Sequence, residues 1–294
     1  MDYRKKFTVD AGERPRLSKV DASYTGKHES HEKALPEIQA HVERMDKLQS
    51  LLYADGNKSV LVVLQALDAA GKDGVIRHLF TGMNPQGTSV FGFKQPSKHE
   101  AAHDFLWRAH LRAPGKGEVV VFNRSYYEDV LVVRVHDLVP KSVWSKRYDL
   151  INDFESQLSQ NGTTILKFYL HISPEEQLAR FKQRLDDPSR HWKISESDYS
   201  ERELRPQYVE AYEDAMAATS TKHAPWYVIP SNHKWFRNLA ISQIISDTML
   251  EMGLKLPPTH VDIADIRRKY HAAEAEEKPH GGHRAKKNAG MQSR

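Results

Sequence analysis

Residues 59–80 read SVLVVLQ-ALDAAGKDG-VIRHLF, and the architecture of the whole chain follows from them. Ser59 to Leu64 is a continuous apolar run rich in β-branched residues, which predicts a strand buried on both faces of a parallel sheet. A short loop follows, and a helical pattern begins near Asp73. A loop that enters a helix N-terminus directs several backbone N–H groups at one place, where phosphate oxygens bind. The stretch therefore predicts a phosphate-binding loop.

This loop departs from the standard pattern G-x-x-x-x-G-K-[ST] at two positions. Ala66 replaces the first glycine, and Asp73 replaces the hydroxyl residue that normally holds magnesium. Gly71 lets the backbone approach a ligand, and Lys72 supplies a point charge for phosphate. Asp68 would repel phosphate unless it binds a bridging Mg²⁺ or activates an acceptor group. An ordinary strand-to-helix turn with an N-terminal Asp cap is the simpler alternative.

Alternating strand and helix patterns continue along the chain. Four further short apolar runs predict strands at residues 89–93, 118–122, 164–172 and 226–229. Helical patterns of ten or more residues occur at 73–82, 97–111, 141–160 and 201–219. This alternation is typical of βαβ units. We therefore expect an α/β domain with three αβα layers around a five-stranded parallel sheet.

Three further segments are predicted from the spacing of apolar residues and from composition. An amphipathic helix extends from about Ser30 to Tyr53, because its apolar residues recur at helical spacing. Residues 174–200 resemble a helical hairpin, which we interpret as a lid. The charged and glycine-containing end of the chain is expected to be disordered after about residue 270. The segments are an N-terminal arm with its amphipathic helix (1–57), a central α/β domain (58–255) and a C-terminal extension (256–294).

The composition excludes several classes of protein. With 294 residues, of which 39% are hydrophobic, the chain can form a substantial core. The absence of cysteine excludes disulfides, thiolate metal sites and thiol nucleophiles. No early stretch resembles a signal peptide, and no run approaches the roughly 18 apolar residues of a membrane span. We expect a cytoplasmic protein with no membrane partner. The net charge of +4 is too small to identify a partner.

A second polar cluster follows the predicted strand EVVVF, where residues 123–129 read NRSYYED. In open α/β sheets, functional groups gather at the carboxyl ends of strands, so this cluster should face the phosphate loop. Arg124 would stabilise charge on transferring phosphoryl oxygens. Glu128 or Asp129 could hold magnesium or accept hydrogen bonds from a nucleoside. The alternative is a helix N-cap with acidic residues in its first turn.

The predicted lid is rich in cations. A mobile cap that carries positive charge suits phosphoryl transfer, which depends on positioning and on charge stabilisation in a site poor in water. Arg184 and Lys193 are the preferred pair, and Arg77 lies one turn along the phosphate-loop helix. A solvated helix face is the alternative for each residue. The basic residues of the lid are Arg180, Lys182, Arg184, Arg190 and Lys193.

Three blocks of the sequence resemble the family-2 polyphosphate kinases: ALDAAGKDG (66–74), FNRSYYEDVLVVRVH (122–136) and RFKQRLDDPSRHWKIS (180–195). The resemblance implies a P-loop kinase core like that of thymidylate kinase, a helical lid and Mg²⁺-dependent transfer between inorganic polyphosphate and a nucleotide. Mn²⁺ is expected as a substitute for Mg²⁺. Asn123 stands where many members have Asp, and this version of the segment is similar to members that phosphorylate AMP as well as ADP.

The residues and the resemblance together define a predicted site. Its catalytic residues are Asp68, Lys72 and Arg124. Its phosphate-binding residues are Ala69, Ala70, Gly71, Asp73, Gly74, Arg77, Arg184 and Lys193. Its nucleotide-binding residues are Lys94, Asn123, Tyr127, Glu128, Asp129 and Arg134. Its metal ligands are Asp68, Asn123 and Glu128.

Two other functions stay open at this stage. A conventional ATP-dependent nucleotide or nucleoside kinase would share the fold, although Asp73 and the additional cations argue against it. A non-catalytic P-loop module that binds nucleic acid is less consistent with the sequence, because no aromatic stacking platforms interleave with the basic residues. We expect the partners to be inorganic polyphosphate and adenine nucleotides, with no nucleic acid, and we expect a homo-oligomer.

Overall fold

A six-stranded sheet lies at the centre of the computed structural model, which describes residues 1–277. The strand order is β1-β6-β5-β2-β4-β3, and β1 alone runs antiparallel to its neighbour. The strands are β1 Thr8–Val9, β2 Ser59–Gln65, β3 Thr88–Gly92, β4 Val119–Asn123, β5 Thr163–His171 and β6 Trp226–Pro230. The α/β class is confirmed, but the prediction of five strands, all parallel, is wrong.

The additional strand comes from the N-terminal arm. β1 contains two residues, which is too short for a periodic pattern to be visible in the sequence. Thr8 pairs with Tyr227 and Val9 with Trp226, so β1 covers the edge of β6. The arm also contributes Tyr3, which is fully buried among hydrophobic residues of the core. A segment without a sequence pattern is therefore ordered by tertiary contacts.

Helices within residues 1–256 cover both faces of the sheet. In the described residues, none of them is long and apolar enough to cross a membrane. The helices are α1 Tyr3–Phe7, α2 His31–Asp55, α3 Lys72–Leu79, α4 Lys98–Ala101, α5 Trp107–His110, α6 Val132–Val135, α7 Lys141–Trp144, α8 Arg147–Gln160, α9 Pro174–Asp186, α10 Ser197–Glu203, α11 Arg205–Thr219, α12 Lys234–Glu251 and α13 Ile263–Glu277. Short 3₁₀ turns occur at Leu17–Lys19, Tyr126–Asp129 and Pro188–Lys193.

The central strand β2 separates two hydrophobic cores. Successive side chains of a strand point to opposite faces, so Val62 and Leu64 belong to one core and Leu61 and Val63 to the other. The first core lies under α2, α3 and α12, and the second lies under α8 and α11. All seven residues of β2 are buried. The prediction that residues 59–64 form a strand buried on both faces is therefore confirmed.

The predicted amphipathic helix is α2, and it packs along α12. Ser30 caps its N-terminus by accepting a hydrogen bond from the backbone N–H of Lys33. Gly56 ends the helix in the left-handed conformation with a φ of 62°. The fully buried Met45 and Leu52 lie on the face that meets the core. The apolar face of α2 is therefore covered by its own domain.

Two predicted long helices are broken in the structure. The pattern at residues 97–111 forms the short helices α4 and α5, and the pattern at 141–160 forms α7 and α8. The predicted lid consists of α9, a 3₁₀ turn and α10. Its break falls at Asp187-Pro188, where the Asp187 side chain accepts a hydrogen bond from the N–H of Ser189. Local capping competes with helix continuation at this position.

The chain separates into two compact units, of which the first is Met1–Leu256 and the second begins at Pro257. The second unit contains α13, so the disorder expected after about residue 270 does not hold through Glu277. Asp262 accepts hydrogen bonds from two backbone N–H groups of the first turn and caps this helix. The same expectation for residues 278–294 lies outside the described residues.

Candidate active site

The loop between β2 and α3 forms a cradle at the carboxyl edge of the sheet. Gly71 is the N-cap of α3 and has a φ of 105°, in the left-handed region that favours glycine. A Cβ atom at Gly71 would collide with the guanidinium group of Arg237, so the Arg237 side chain would have to shift for any other residue to fit there. Residues 71–74 line the adjacent cleft. The first N–H groups of α3 are therefore available to an anion.

Lys72, the first residue of α3, lies beside this loop. Its Nζ donates a hydrogen bond of 3.2 Å to the carbonyl oxygen of Ala66. Burial lowers the pKa of Lys72 and the charge of Arg124 lowers it further, whereas Asp68 acts in the opposite direction. A desolvated ammonium group next to another cation gains strongly from a bound anion. Lys72 is therefore well placed to bind a phosphate group.

An ion pair between Asp68 and Arg124 lies where two cavities meet. Arg124 Nη2 is 3.0 Å from Asp68 Oδ1, and Arg124 Nη1 is 3.4 Å from Glu128 Oε2. Asp68 follows β2 and Arg124 follows β4, and these are neighbouring parallel strands. Their carboxyl ends therefore share one edge of the sheet. The side chains of Asp68 and Arg124 line both cavities, so the pair forms the boundary between them.

The larger cavity has a volume of about 620 Å³ and is strongly basic. Ten lysine and arginine residues line it, against two carboxylates, Asp68 and Asp73. Such a surplus of positive charge in a concave site attracts and holds polyanions. We call this cavity the basic cleft. Its cations are Lys72, Arg77, Lys94, Arg124, Arg180, Arg184, Arg190, Lys193, Lys234 and Arg237.

The smaller cavity has a volume of about 230 Å³ and a different character. Carboxylates and hydroxyl-bearing aromatic rings dominate its lining. Burial raises the pKa of Glu128, although Arg124 and Lys72 act against that rise. We call this cavity the acidic cavity. Its polar lining residues are Asp68, Arg124, Glu128, Gln177, Ser197, Asp198, Glu201, Arg205, Tyr208 and Tyr212.

The lid contacts the phosphate-loop helix through an ion pair. Lys193 Nζ lies 2.9 Å from Asp73 Oδ2, and the Asn123 side chain donates to the other Asp73 oxygen at 3.3 Å. The hydrogen bond from Lys193 lowers the pKa of Asp73. Arg184 lies near the acidic cavity as well, with Nη1 at 3.7 Å from Asp198. Both preferred lid cations, Arg184 and Lys193, line the basic cleft together with the phosphate loop, and Lys193 contacts the loop helix directly.

Arg180 fixes the base of the lid to the back of the loop. Its guanidinium group is 5% exposed and donates to the carbonyl oxygens of Ala69 and Ala70, at 3.0 and 2.8 Å. It also donates to the carbonyl oxygens of Ser231 and Asn232, beyond β6. These four bonds hold the loop, the lid and the end of β6 together. Ala70 is fully buried and contributes this carbonyl oxygen, while its side chain stays in the core.

Three predicted nucleotide-binding residues lie outside both cavities. Tyr127 is fully buried, and its hydroxyl hydrogen-bonds inside the core. Asp129 faces Arg147, at 3.4 Å, and burial raises its pKa to about 6. Arg134 forms ion pairs with Asp214 and Glu210 at 2.8 and 2.9 Å. Tyr127 and Asp129 lie in the 3₁₀ turn after β4, where their side chains contact the core and α8, whereas Arg134 lies in α6 and contacts α11.

Two basic residues of the cleft were missed by the sequence interpretation. Lys234 and Arg237 lie in the first turn of α12. Arg237 is 2% exposed, and burial together with Arg180 lowers its pKa to about 9. Because α12 follows β6, the strand-end rule that located Arg124 would also have located these residues.

The predicted metal ligands are those for Mg²⁺, which binds through one or two carboxylates together with substrate phosphates. Asp68 fits, because its side chain is 30% exposed and lines both cavities. Asn123 lines the basic cleft and Glu128 the acidic cavity, on either side of Asp68. Among residues 1–277, no group of three or more His, Cys, Asp or Glu side chains could hold a metal by itself.

An αβα core with an anion-binding loop after its central strand, a basic cleft and a cationic lid is characteristic of phosphotransferases. Comparison with known proteins narrows this class. Residues 27–256 match the family model for polyphosphate kinase 2. The chain belongs to the polyphosphate kinase 2 family.

Individual relatives agree with this assignment. An AMP/ADP-polyphosphate phosphotransferase of Meiothermus ruber is 50% identical over 254 residues, which are 86% of this chain and 95% of the relative. An ADP-polyphosphate phosphotransferase of Rhodopseudomonas palustris is 45% identical over 87% of this chain and 92% of the relative. The crystal structure of polyphosphate kinase 2 from Arthrobacter aurescens superposes with a TM-score of 0.89 at 40% identity, covering 92% of this chain and 97% of that one.

Proposed function

We propose that this protein transfers the terminal phosphoryl group of inorganic polyphosphate to AMP and/or ADP, giving ADP and ATP in a reversible reaction. The observation that carries the proposal is the Asp68–Arg124 ion pair, which lines both the basic cleft and the acidic cavity. A donor in one cavity and an acceptor in the other would meet at this pair. Names of relatives support the same substrates, since the Meiothermus ruber protein is called an AMP/ADP-polyphosphate phosphotransferase.

The basic cleft suits the donor. Inorganic polyphosphate carries about one negative charge on each phosphate and has no base or sugar to recognise, so binding depends on cations and backbone N–H groups. Ten cations line about 620 Å³ there. Lys72 and the N-terminus of α3 would hold the terminal phosphate. Lys234 and Arg237 of α12 supply further charge for the remainder of the polyanion.

The acidic cavity suits the acceptor nucleotide. Its carboxylates can accept hydrogen bonds from ribose hydroxyl and adenine amino groups, while Arg124 and Arg205 offer positive charge to the nucleotide phosphate. Asp198 and Glu201 belong to α10 of the lid. Movement of the lid would therefore change the acidic cavity and the basic cleft together.

In the proposed step, a phosphate oxygen of AMP or ADP attacks the terminal phosphorus of polyphosphate, and the bond from that phosphorus to the bridging oxygen breaks. The shortened polyphosphate leaves with the electron pair. Lys72 and Arg124 would stabilise the negative charge on the transferring oxygens. Asp68 would orient the acceptor. We propose Mg²⁺, or Mn²⁺ as a substitute, beside Asp68, where a bound cation would neutralise charge on the phosphate oxygens.

The test is incubation of the purified protein with Mg²⁺, inorganic polyphosphate and AMP without added ATP, followed by chromatography of the nucleotides. We expect ADP first and then ATP. The Lys72→Ala variant, prepared in the same way, controls for contaminating kinases. Separate reactions that start from AMP and from ADP establish which acceptor is preferred.

A different result would support a different function. If neither AMP nor ADP is phosphorylated by polyphosphate, but ATP phosphorylates members of a nucleoside panel, the protein is a conventional ATP-dependent kinase. Binding of RNA or DNA without any turnover would favour the nucleic-acid-binding module. A homo-oligomeric state and a cytoplasmic location stay predictions, which light scattering and cell fractionation address directly.

A further inference from the structure

Arg124 has a strained backbone at the boundary between the cavities. Its φ of 61° lies in the left-handed region, which residues with a Cβ atom adopt only at a cost in free energy. Its N–H donates to the carbonyl oxygen of Leu64 at 3.0 Å, which ties the end of β4 to β2. Such a conformation persists only where neighbouring contacts enforce it. The contacts that follow Arg124 in the chain therefore matter for the site.

The next three residues are fully buried and held by hydrogen bonds. Ser125 Oγ accepts from the Gln65 side chain at 3.2 Å and from the N–H of Tyr127 at 3.1 Å. The hydroxyl of Tyr126 donates to Glu155 Oε1 at 2.8 Å. The hydroxyl of Tyr127 lies 2.9 Å from the same oxygen and 2.9 Å from Thr219 Oγ1. The turn from Arg124 to Glu128 is thus fixed by contacts inside the second core.

A buried charge pair lies at the centre of these contacts. Lys167 Nζ is 2.6 Å from Glu155 Oε2, and both side chains are completely inaccessible to solvent. The same Nζ donates to the Tyr127 hydroxyl at 2.9 Å and to the carbonyl oxygen of Thr219 at 2.7 Å. The three ammonium hydrogens therefore have three partners. Lys167 belongs to β5, Glu155 to α8 and Thr219 to α11, so three elements converge on the turn.

A buried ion pair is a poor device for stability alone. Removing two charges from water is costly, and apolar residues of similar volume often replace such pairs with no loss of stability. What the charged groups provide is fixed geometry, because each of their hydrogen bonds has a defined direction. Here these hydrogen bonds hold the turn that presents Arg124 and Glu128 to the acidic cavity.

From these observations we infer that Lys167, Glu155 and Tyr127 are positioning residues for phosphoryl transfer. They contact neither cavity and act through the backbone between Arg124 and Glu128. The inference rests on the proposed function only in assigning Arg124 to the reacting centre. We call this set the Lys167–Glu155 network.

The first variant is Tyr127→Phe, which removes one hydroxyl and preserves the ring that packs against Trp226. We expect kcat to fall about tenfold, because misplacement of a positioned group by a fraction of an ångström is costly in catalysis. The KM for polyphosphate should stay within about twofold, since the turn does not form the rest of the basic cleft. An unchanged kcat in a folded Tyr127→Phe protein would overturn the inference.

The second variant is the double replacement Lys167→Met with Glu155→Leu. It removes both buried charges together, so neither is left unpaired. We expect a cooperative thermal transition below that of the wild type, because the Tyr126 hydroxyl and the Thr219 carbonyl oxygen lose these partners, with kcat reduced at least as much as in Tyr127→Phe. Wild-type kcat in this folded variant would contradict the inference. If the double variant does not fold, the single Tyr127→Phe result decides.

A matched control is available at the opposite end of the same sheet. Ser59 and Thr163 form a buried side-chain hydrogen bond of 2.9 Å at the amino ends of β2 and β5. Ser59→Ala removes a buried hydrogen bond far from the cleft. It should lower the transition temperature to an extent similar to Tyr127→Phe and leave kcat unchanged. Equal losses of kcat in the two variants would mean that the network contributes stability only.

A thermodynamic cycle with Arg124 separates positioning from general damage. In an Arg124→Lys background, the planar guanidinium group that the turn positions is already replaced by a compact ammonium group. Tyr127→Phe should then reduce kcat by less than twofold, because coupled residues are not additive. If the decrease in kcat of the double variant equals the product of the decreases caused by Arg124→Lys and by Tyr127→Phe, the inference is overturned. Each kcat is divided by that of its parent enzyme, measured with the same phosphoryl donor and the same acceptor. If polyphosphate is not a donor, the proposed function fails, and the same ratios with ATP still test the network.

Discussion

The basic cleft and the acidic cavity share the Asp68–Arg124 pair but differ in size and charge. The cleft has about 620 Å³ and ten cations, whereas the cavity has about 230 Å³ and a lining rich in carboxylates. A wide, predominantly basic cleft can hold a repetitive polyanion in several registers. A small cavity with directional acceptors holds one molecule in one orientation. On this difference we base the proposal that the donor binds in the basic cleft and the acceptor in the acidic cavity.

The comparison depends most on Lys72, which lines the basic cleft and lies within reach of the charges of Arg124 and Asp68. We expect Lys72→Met to lower kcat about 10³-fold, because a preorganised donor to the transferring oxygens is lost. The measurement is ATP formation from ADP and polyphosphate, with circular dichroism to show that the fold is retained. A rate within tenfold of the wild type would remove Lys72 from the reacting centre.

Asp68 is the next most important residue. Asp68→Asn keeps the shape and one acceptor oxygen of the side chain but removes its charge, and we expect kcat to fall about 10²-fold. If Asp68 holds Mg²⁺, the concentration of Mg²⁺ at half-maximal rate should also rise. An Asp153→Asn variant is the matched control, since Asp153 is exposed on α8 and lines neither cavity. An equal effect in both variants would contradict a special role for Asp68.

Glu128 tests the acceptor side, since it lines the acidic cavity and not the basic cleft. Glu128→Gln removes the carboxylate that faces the acidic cavity, and we expect the KM for the nucleotide to rise about tenfold, a loss typical of one charged hydrogen bond. The KM for polyphosphate should be unchanged. The two constants are measured separately, each with the other substrate saturating. If the KM for polyphosphate rises and the KM for the nucleotide does not, the assignment of the two cavities is reversed.

Lys234 tests the donor side. Because it lies in the first turn of α12 and lines the basic cleft, Lys234→Gln should raise the KM for long-chain polyphosphate about threefold, as expected for one partly exposed charge contact. Tripolyphosphate, which is short, should be affected less. The rise should shrink at high salt. An increase in the nucleotide KM alone would contradict the proposed path of the polyanion.

His171 gives the smallest expected effect on catalysis and a measurable effect on stability. Burial and then the charge of Arg205 lower its pKa to about 4, from 6.5 in the unfolded chain. Between these values the unfolded chain binds the proton more strongly, so this contribution to stability is lost as the pH falls from about 6.5 to 4. Wild type should lose on the order of 2 kcal/mol between pH 7 and pH 4.5 from this group.

Urea unfolding at the two pH values measures this loss. The free energy of unfolding of His171→Gln should decrease less than that of the wild type between the two pH values. His103→Gln, at an exposed position, should show the same decrease as the wild type. If His171→Gln and the wild type lose equal stability, the proton is taken up elsewhere. The rate at pH 7 should be nearly unchanged, since His171 lines neither cavity.

Local sequence pattern was sufficient for much of this molecule. The β2 run, the glycine at position 71 and the helix after it follow from hydrophobicity and backbone freedom over a few residues, so the phosphate loop could be located from residues 59–80. The lid break at Asp187-Pro188 also depends on local chemistry. The family resemblance was carried by similarly short blocks.

Tertiary structure alone decided the features that join distant segments. β1 has no pattern of its own and exists because β6 offers an unpaired edge. Tyr127 and Glu128 are neighbours in sequence, yet one enters the core and the other faces a cavity, because the strained turn at Arg124 sets their directions. Lys234 lies over 160 residues from Lys72, and only the order of strands brings both to one cleft. Contacts of this kind depend on sheet topology, which no local property of the sequence encodes.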